Sequence, residues 1–157
     1  MEGNMEKRLA VLTRLAALVN GEGIPWALGA SGMLFLRGIA SSFHDLDLMI
    51  RVEDASRVEV LLCTVGTLMP EKDSVGYGTK RFMEFVVDGV DVDVIAGFAI
   101  ADGGQMHDCS FAPEQVDAFA TLGGERIPLH SLALWRRYYA LMHRWDKVRM
   151  IDGAKRE

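Results

Sequence analysis

The chain has 157 residues, of which 50% are hydrophobic and 25% are charged, as expected for one globular domain with a substantial core. Its net charge of -5 argues against a non-specific nucleic-acid binder, because such proteins usually carry a basic surface. The charged N-terminus is not followed by the apolar segment of a signal peptide, and no run of residues is apolar enough to span a membrane. We therefore expect a cytoplasmic protein that does not interact with membranes.

The two cysteines, Cys63 and Cys109, lie far apart in the sequence. Such spacing suggests neither a disulfide framework nor a set of metal ligands. We expect both to be reduced thiols.

The first part of the chain predicts a helix, a strand, a tight turn and a second helix. Apolar residues recur at helical spacing over residues 5–20, residues 24–28 are typical of a short strand, and a second helix is predicted over residues 32–37. The small residues Gly29, Ala30 and Ser31 form the turn. A turn of this kind can bring backbone N–H groups close to a phosphate, although many such turns use small residues for packing alone.

Two aspartates define the next segment, residues 45–52, which we predict to be a strand. Because side chains alternate along a strand, Asp45 and Asp47 share one face while Leu46 and Leu48 share the other. Two neighbouring carboxylates repel and raise each other's pKa unless a cation lies between them, so the pair suggests a divalent metal site. The alternative is a half-buried edge strand whose polar face carries two aspartates.

A helix is predicted to follow, capped by Asp54 and ended by Gly66. The apolar residues expected to point inward from this helix are Val58, Val60, Leu61, Leu62 and Val65. Residues 68–78 contain proline and glycine and are typical of a loop.

The turn Asp88-Gly89 joins two β-rich runs within residues 81–95 and predicts a type I′ hairpin. A tight turn places Glu84 opposite Asp93. One face of the hairpin then gathers Glu84, Asp91 and Asp93, and the other face supplies valines and Phe85 to the core.

The C-terminal third predicts an irregular segment, a second hairpin and a long helix. Residues 96–113 are glycine-rich, and we expect His107 there to lie at the surface. The hairpin spans residues 119–129, with Pro128 suggesting an edge strand. A helix over residues 131–143 would place four apolar residues on one face, namely Leu132, Trp135, Tyr139 and Met142.

In order, the small-residue turn, the Asp-x-Asp strand and the later acid resemble the DNA polymerase β-type nucleotidyltransferase superfamily, within it the small bacterial minimal and antibiotic nucleotidyltransferases. Residues 26–29, 36–39 and 44–47 resemble the first motif, residues 87–94 resemble the third-acid strand, and residues 127–129 with 144–147 are similar to the C-terminal helix. The resemblance implies one nucleotidyltransferase-like domain over residues 1–157. It implies an α+β fold in which a small mixed β-sheet carries the acidic residues and helices pack against it.

The same resemblance implies a metal-dependent enzyme that moves a nucleotidyl group from an NTP, such as ATP, to a hydroxyl of an acceptor. The acceptor could be a small molecule, a protein or an RNA end. Asp45 and Asp47 would hold two Mg²⁺ or Mn²⁺ ions, and Asp93 would ligate the ion that activates the acceptor hydroxyl.

By the same resemblance, the turn of Gly29, Ala30 and Ser31 would cradle the β- and γ-phosphates, and Lys147 or Arg144 would complement the triphosphate. Glu84 and Asp91 are secondary candidates, because they share the hairpin face with Asp93.

The sequence departs from the family at Ala30, where relatives usually carry serine or a second glycine, so that the hydroxyl stands one residue later at Ser31. The loop of residues 40–43 also lacks the arginine and threonine of many relatives. A second hypothesis is therefore a non-catalytic module of the same fold that binds a nucleotide or a partner protein, as an antitoxin-like or regulatory component does. A homodimer also stays open.

Two other metal sites fit the Asp-x-Asp pattern less well. A nucleotide-sugar glycosyltransferase needs a larger nucleotide-binding region than the 44 residues before Asp45 supply. An EF-hand loop is excluded because Leu46 and Leu48 give a strand pattern and no glycine or glutamate follows at loop spacing.

Overall fold

The computed structural model describes residues 2–71 and 78–154. Its helices are α1 (Glu2–Gly21), α2 (Ala30–Leu36), α3 (Ala55–Cys63), α4 (Leu132–Leu141) and α5 (Trp145–Ala154). Its strands are β1 (Trp26–Gly29), β2 (Leu46–Ile50), β3 (Thr67–Leu68), β4 (Arg81–Val87), β5 (Val90–Ala96), β6 (Ala99–Asp102), β7 (Gln105–Asp108), β8 (Val116–Leu122) and β9 (Glu125–His130). The predicted loop over residues 68–78 lies partly outside the described residues.

Seven strands form one mixed sheet in the order β3-β4-β5-β2-β1-β9-β8, while β6 and β7 pair separately. In this sheet β2 runs parallel to β5 and β1 runs parallel to β9, and the other neighbouring strands are antiparallel. The predicted α+β fold with a small mixed sheet is confirmed.

The core lies on the apolar face of the central strands. Leu46 and Leu48 of β2 are fully buried, as are Val92 and Val94 of β5. Helix α1 contacts β5 and β9 and also meets α3, so these two helices cover that face. Burying one face of each central strand leaves the carboxylates of the opposite face free for another role.

The β4–β5 hairpin has the predicted register. Glu84 is paired with Asp93 and Val86 with Asp91 around the turn of Asp88 and Gly89. Both turn residues have positive φ, 50° and 78°, as a type I′ turn requires. The prediction is confirmed because turn chemistry and strand alternation act locally and agree.

The second hairpin, β8–β9, is also present, but its predicted edge position is wrong. β9 lies between β1 and β8, so the strand that carries Pro128 is internal and β8 is the edge. In the described chain, β1 and β9 meet in register at the pair Leu28 and Leu129, so the missing N–H of Pro128 interrupts no long ladder.

Residues 99–108, predicted to be irregular, form the β6–β7 hairpin. Its turn is Gly103-Gly104, with φ of 57° and 77°, which is the glycine version of the same tight turn. His107, expected at the surface, is half-buried on β7.

The helix predicted over residues 131–143 is confirmed as α4, which ends two residues earlier, and the separate helix α5 follows it. α4 ends at Leu141, His143 adopts a left-handed φ of 58°, and the N–H of Arg144 donates to the carbonyl of Tyr139 at 2.8 Å. A left-handed residue just after a helix closes its last carbonyls and redirects the chain.

Helix α3 also corrects two expectations. Val58 and Leu62 are buried, but Val60 is 69% exposed because it lies on the opposite side of the helix. Asp54 makes no capping hydrogen bond within the described residues, and its carboxylate instead accepts a hydrogen bond from Arg51 Nε at 2.8 Å.

Both cysteines are free, as predicted. Among the helices that the structure describes, none has the length and apolarity needed to cross a bilayer.

Candidate functional site

A row of paired residues crosses four strands of the sheet. Gly29 on β1 is paired with Asp47 on β2, Asp47 with Asp93 on β5, and Asp93 with Glu84 on β4. Laterally paired residues point to the same face, with about 4.8 Å between neighbouring strands. Residues from three separate parts of the sequence therefore meet on one face.

Three carboxylates are concentrated on this row. Asp45, Asp47 and Asp93 each offer a carboxylate oxygen, and these atoms lie within 4.8 Å of one another. Asp45 immediately precedes β2 and shares the face of Asp47 because side chains alternate. All three side chains are half-buried, so a bound ion would be partly shielded from solvent.

The three carboxylates impose a strong electrostatic cost on one another. Burial raises the pKa of Asp47 well above its ordinary value, and the charges of Asp45 and Asp93 raise it further. Burial also raises the pKa of Asp93 to about 7, with further contributions from Asp45, Glu84 and Asp91. A divalent cation would reverse this repulsion. Carboxylate oxygens are hard ligands, and so the set fits Mg²⁺ or Mn²⁺.

The turn at the other end of the row has an unusual backbone. β1 ends at Gly29 and α2 begins at Ala30, two residues earlier than predicted. Gly29 has φ of -113° and ψ of -176°, which any residue adopts, whereas Ala30 has φ of 53° in the left-handed region. The strained position is thus occupied by alanine and the neighbouring unstrained position by glycine.

The C-terminal helices close the site over this turn. Lys147 Nζ on α5 lies 3.4 Å from Ser31 Oγ. The buried Tyr139 on α4 hydrogen-bonds with the Ser31 side chain, and its pKa is raised chiefly by burial and then by the charge of Asp47. Arg144, the other basic candidate, is exposed and pairs with Asp146. The one cationic group placed against the turn by a described contact is therefore Lys147.

The structure thus brings together the three aspartates, the turn and Lys147, but no described contact places Arg144 against the turn. The aspartates form one cluster, and Gly29, Ala30 and Ser31 lie at the end of their row with Lys147 against them. Their roles stay predictions. Glu84 is half-buried beside Asp93, while Asp91 is exposed, and both carboxylates contribute to the raised pKa of Asp93.

Two aromatic residues next to the turn were not identified as site residues from the sequence. Trp135 packs on Gly29, and Tyr139 contacts Ser31. Helical spacing placed both on the buried face of one helix, but it could not show what that face packs against.

Comparison with solved structures identifies the fold. A protein from Thermotoga maritima, provisionally named a nucleotidyltransferase, aligns with a TM-score of 0.75 at 20% identity, covering 96% of this chain and 94% of that chain. The antibiotic-resistance factor ANT(2")-Ia, solved in complex with adenylyl-2"-tobramycin, aligns with a TM-score of 0.65 at 13% identity, covering 94% and 89% of the two chains. The lincosamide antibiotic adenylyltransferase LnuA, solved with lincomycin, aligns with a TM-score of 0.57 at 11% identity, covering 82% and 83%.

A scan against protein-family models and a search of curated proteins find no match. At these identities the structural likeness shows the fold. The chain therefore has the fold of these nucleotidyltransferases, and the predicted fold is confirmed.

Proposed function

We propose that the protein is a metal-dependent nucleotidyltransferase that moves a nucleotidyl group from an NTP to a hydroxyl of an acceptor. The observation that carries the proposal is the cluster of Asp45, Asp47 and Asp93, whose carboxylate oxygens lie within 4.8 Å of one another. This cluster lies on the row that ends at the turn of Gly29.

The reaction forms a bond between the acceptor oxygen and the α-phosphorus and breaks the bond from that phosphorus to the β-phosphate oxygen. Pyrophosphate leaves with the bridging oxygen, and the proton of the acceptor hydroxyl passes to solvent water. Divalent ions, when bound, neutralise the charge that spreads over the phosphate oxygens and lower the pKa of the acceptor hydroxyl. In this proposal Asp45 and Asp47 hold two Mg²⁺ or Mn²⁺ ions, and Asp93 ligates the one nearer the acceptor.

The other residues of the row have binding roles. The turn of Gly29, Ala30 and Ser31 holds the β- and γ-phosphates, and Lys147 contributes the positive charge. The contact of Lys147 with Ser31 supports this assignment, because it places the Lys147 ammonium beside the turn. Within the described residues this ammonium has no carboxylate partner, whereas Arg144 pairs with Asp146.

Glu84 continues the row beyond Asp93, on the side away from the turn. The proposed acceptor therefore lies toward β4. The acceptor is a small molecule, a protein or an RNA end, and the antibiotic substrates of the structural neighbours make a small hydroxylated molecule a reasonable first choice for testing.

The first experiment is isothermal titration with ATP, GTP, CTP and UTP, with and without Mg²⁺, for the wild-type protein and for Asp47→Asn. We expect binding of at least one NTP that requires both Mg²⁺ and Asp47. The matched control is Asp88→Asn, an equal change at the exposed hairpin turn, where asparagine is well accommodated.

Absence of binding by all four nucleotides would contradict the proposal and favour a partner-binding module of this fold. Tight binding without pyrophosphate release over a panel of hydroxylated acceptors would favour a nucleotide-binding regulatory module. The altered turn, with Ala30 in the left-handed region, is the observation that keeps this second function under test.

A further inference from the structure

Gly29 is required by its contact with Trp135 and not by its own backbone. Its φ of -113° is open to any residue, yet a Cβ built there would lie 2.6 Å from Cζ2 and 2.9 Å from Cε2 of the Trp135 indole. These are distances that real Cβ atoms do not tolerate, so the ring lies directly on the glycine. The contact is on the face that also carries Asp47, the strand partner of Gly29.

The indole has little freedom to move away. Trp135 is 3% exposed, and its Nε1–H donates to Nδ1 of the fully buried His130 at 2.9 Å. Because indole nitrogen is only a donor, His130 Nδ1 carries no proton, and its Nε2–H donates to Gln115 Oε1 at 2.8 Å. The ring of Phe98 stacks on Trp135 with centroids 6.0 Å apart. Both ring nitrogens of His130 and the indole nitrogen of Trp135 therefore have hydrogen-bond partners when the two rings are placed as they are here.

Helix α4 contacts both ends of the turn. Trp135 covers Gly29, and Tyr139, one helical turn later, hydrogen-bonds with Ser31. Between them Ala30 is held at φ of 53°, a left-handed conformation that is unfavourable for alanine. Such a conformation persists only where the surroundings impose it, and here α4 supplies those surroundings.

We propose that Trp135 is a positioning residue for the nucleotide: it acts through Gly29 to hold the backbone of the turn in the arrangement that receives the phosphates. This inference rests on the proposed function. In this proposal Trp135 itself does not contact the nucleotide. His130 orients the indole through the hydrogen bond that it accepts from Nε1–H.

The test is a pair of size changes that compensate each other. Gly29→Ala adds the Cβ that meets the indole, and Trp135→Leu removes the indole atoms that it meets. We expect each single change to weaken binding of the tightest-binding NTP about tenfold in the presence of Mg²⁺, the value of about one hydrogen bond to a charged group. In the Trp135→Leu background, Gly29→Ala should cause no further loss, because the steric conflict is gone.

A second readout separates positioning from general disruption. The affinity for Mn²⁺ without nucleotide should stay within about twofold of wild type in each variant, because the carboxylates and not the turn bind the ion. The stability control is Leu62→Ala in α3, a fully buried position outside the site. It should lower the melting temperature by about as much as Trp135→Leu does, but it should leave the NTP affinity unchanged. If Trp135→Leu does not fold, Trp135→Phe replaces it, because it removes Cζ2 and Nε1 but keeps an aromatic ring.

The outcomes are distinguishable. If wild type binds an NTP and Trp135→Leu binds it equally well, the inference is wrong and the proposed function stands. The inference would also be overturned if Leu62→Ala lost as much NTP affinity as Trp135→Leu, or if Trp135→Leu lost Mn²⁺ affinity in parallel with NTP affinity. If wild type binds no NTP, the proposed function fails, and the positioning role is rejected with it.

Discussion

Asp47 and Asp93 are lateral partners on adjacent parallel strands, although α3, β3 and β4 lie between them in the sequence. Their pairing forces two carboxylates onto one half-buried face, and the pKa values of both are raised. The fold therefore holds charges together that would separate if the strands were free to shift. Such an arrangement is costly without a cation and becomes favourable with one.

Asp47→Asn should stabilise the metal-free protein and abolish its response to Mg²⁺. Because the pKa of Asp47 is raised in the folded state, its ionised form opposes folding at neutral pH, and the neutral amide removes that penalty. Nucleotide transfer should fall at least about a hundredfold, since several kcal/mol of charge stabilisation depend on the ligand. Thermal melts with and without Mg²⁺ check the stability, and pyrophosphate release checks the transfer.

Asp88→Asn provides the comparison for those melts, because that carboxylate is exposed on the hairpin turn. Its melting temperature should respond to Mg²⁺ as wild type does. A Mg²⁺ shift that survives in Asp47→Asn would contradict the proposed metal role of this carboxylate.

Lys147→Met should weaken NTP binding about tenfold, because a charge-assisted contact with the phosphates is lost while the aliphatic stem is kept. Titration of the NTP in Mg²⁺ measures the effect. Arg149→Met removes an equal charge from an exposed position on the same helix and should change the affinity less than twofold. Equal effects of the two substitutions would mean that only the overall charge of α5 matters.

The contribution of His130 to stability should decline as the pH falls from about 6.5 toward 4, because this histidine is held neutral in the folded state. The raised pKa values of Asp47 and Asp93 act in the opposite direction over the same range, so the His130 contribution has to be measured as a difference between variants. Burial lowers its pKa to about 4, while an unfolded histidine titrates near 6.5. The unfolded state thus binds more protons in this window, so the contribution of His130 is fully present above about pH 6.5, is lost progressively below that value, and stops changing once the pH is below the folded pKa of about 4. The difference between the folded and unfolded pKa values of His130 corresponds to at most about 3 kcal/mol of stability.

Urea unfolding between pH 4.5 and 7.5 measures this slope. As the pH falls, His130→Gln should lose less stability or gain more than wild type, because glutamine does not titrate, whereas His44→Gln at an exposed position should follow the wild-type slope. An unchanged slope in His130→Gln would assign the pH dependence to other groups.

Ala30→Gly should raise stability by less than about 1 kcal/mol, or the melting temperature by about 2 °C. Glycine relieves the left-handed strain at φ of 53°, and its greater freedom in the unfolded chain offsets part of the gain. Ala10→Gly, at an exposed position inside α1, should have the opposite sign and cost about 1 kcal/mol. Differential scanning calorimetry of both variants decides the matter, and a loss in Ala30→Gly would show that the turn is not strained.

Local rules were sufficient for much of this fold. The Asp88-Gly89 turn predicts the pairing of Glu84 with Asp93, and alternation along β2 places Asp45 and Asp47 on one face. These predictions are confirmed because a tight turn and a pleated strand involve residues that are neighbours in sequence. Where a local signal was absent or misread, the prediction failed. The Gly103-Gly104 hairpin turn was taken as part of an irregular segment, and Pro128 was taken as the mark of an edge strand although β9 is internal.

The sequence by itself determined the α+β class, the two hairpins, the apolar face of β2 and the identity of the three clustered carboxylates. Only the tertiary structure decided that Gly29, Asp47 and Asp93 stand in one row, that β9 is internal, and that Trp135 lies on Gly29. These relationships join strands and helices that are distant in the chain. They depend on parallel pairing and on helix packing, whose partners no local periodicity encodes.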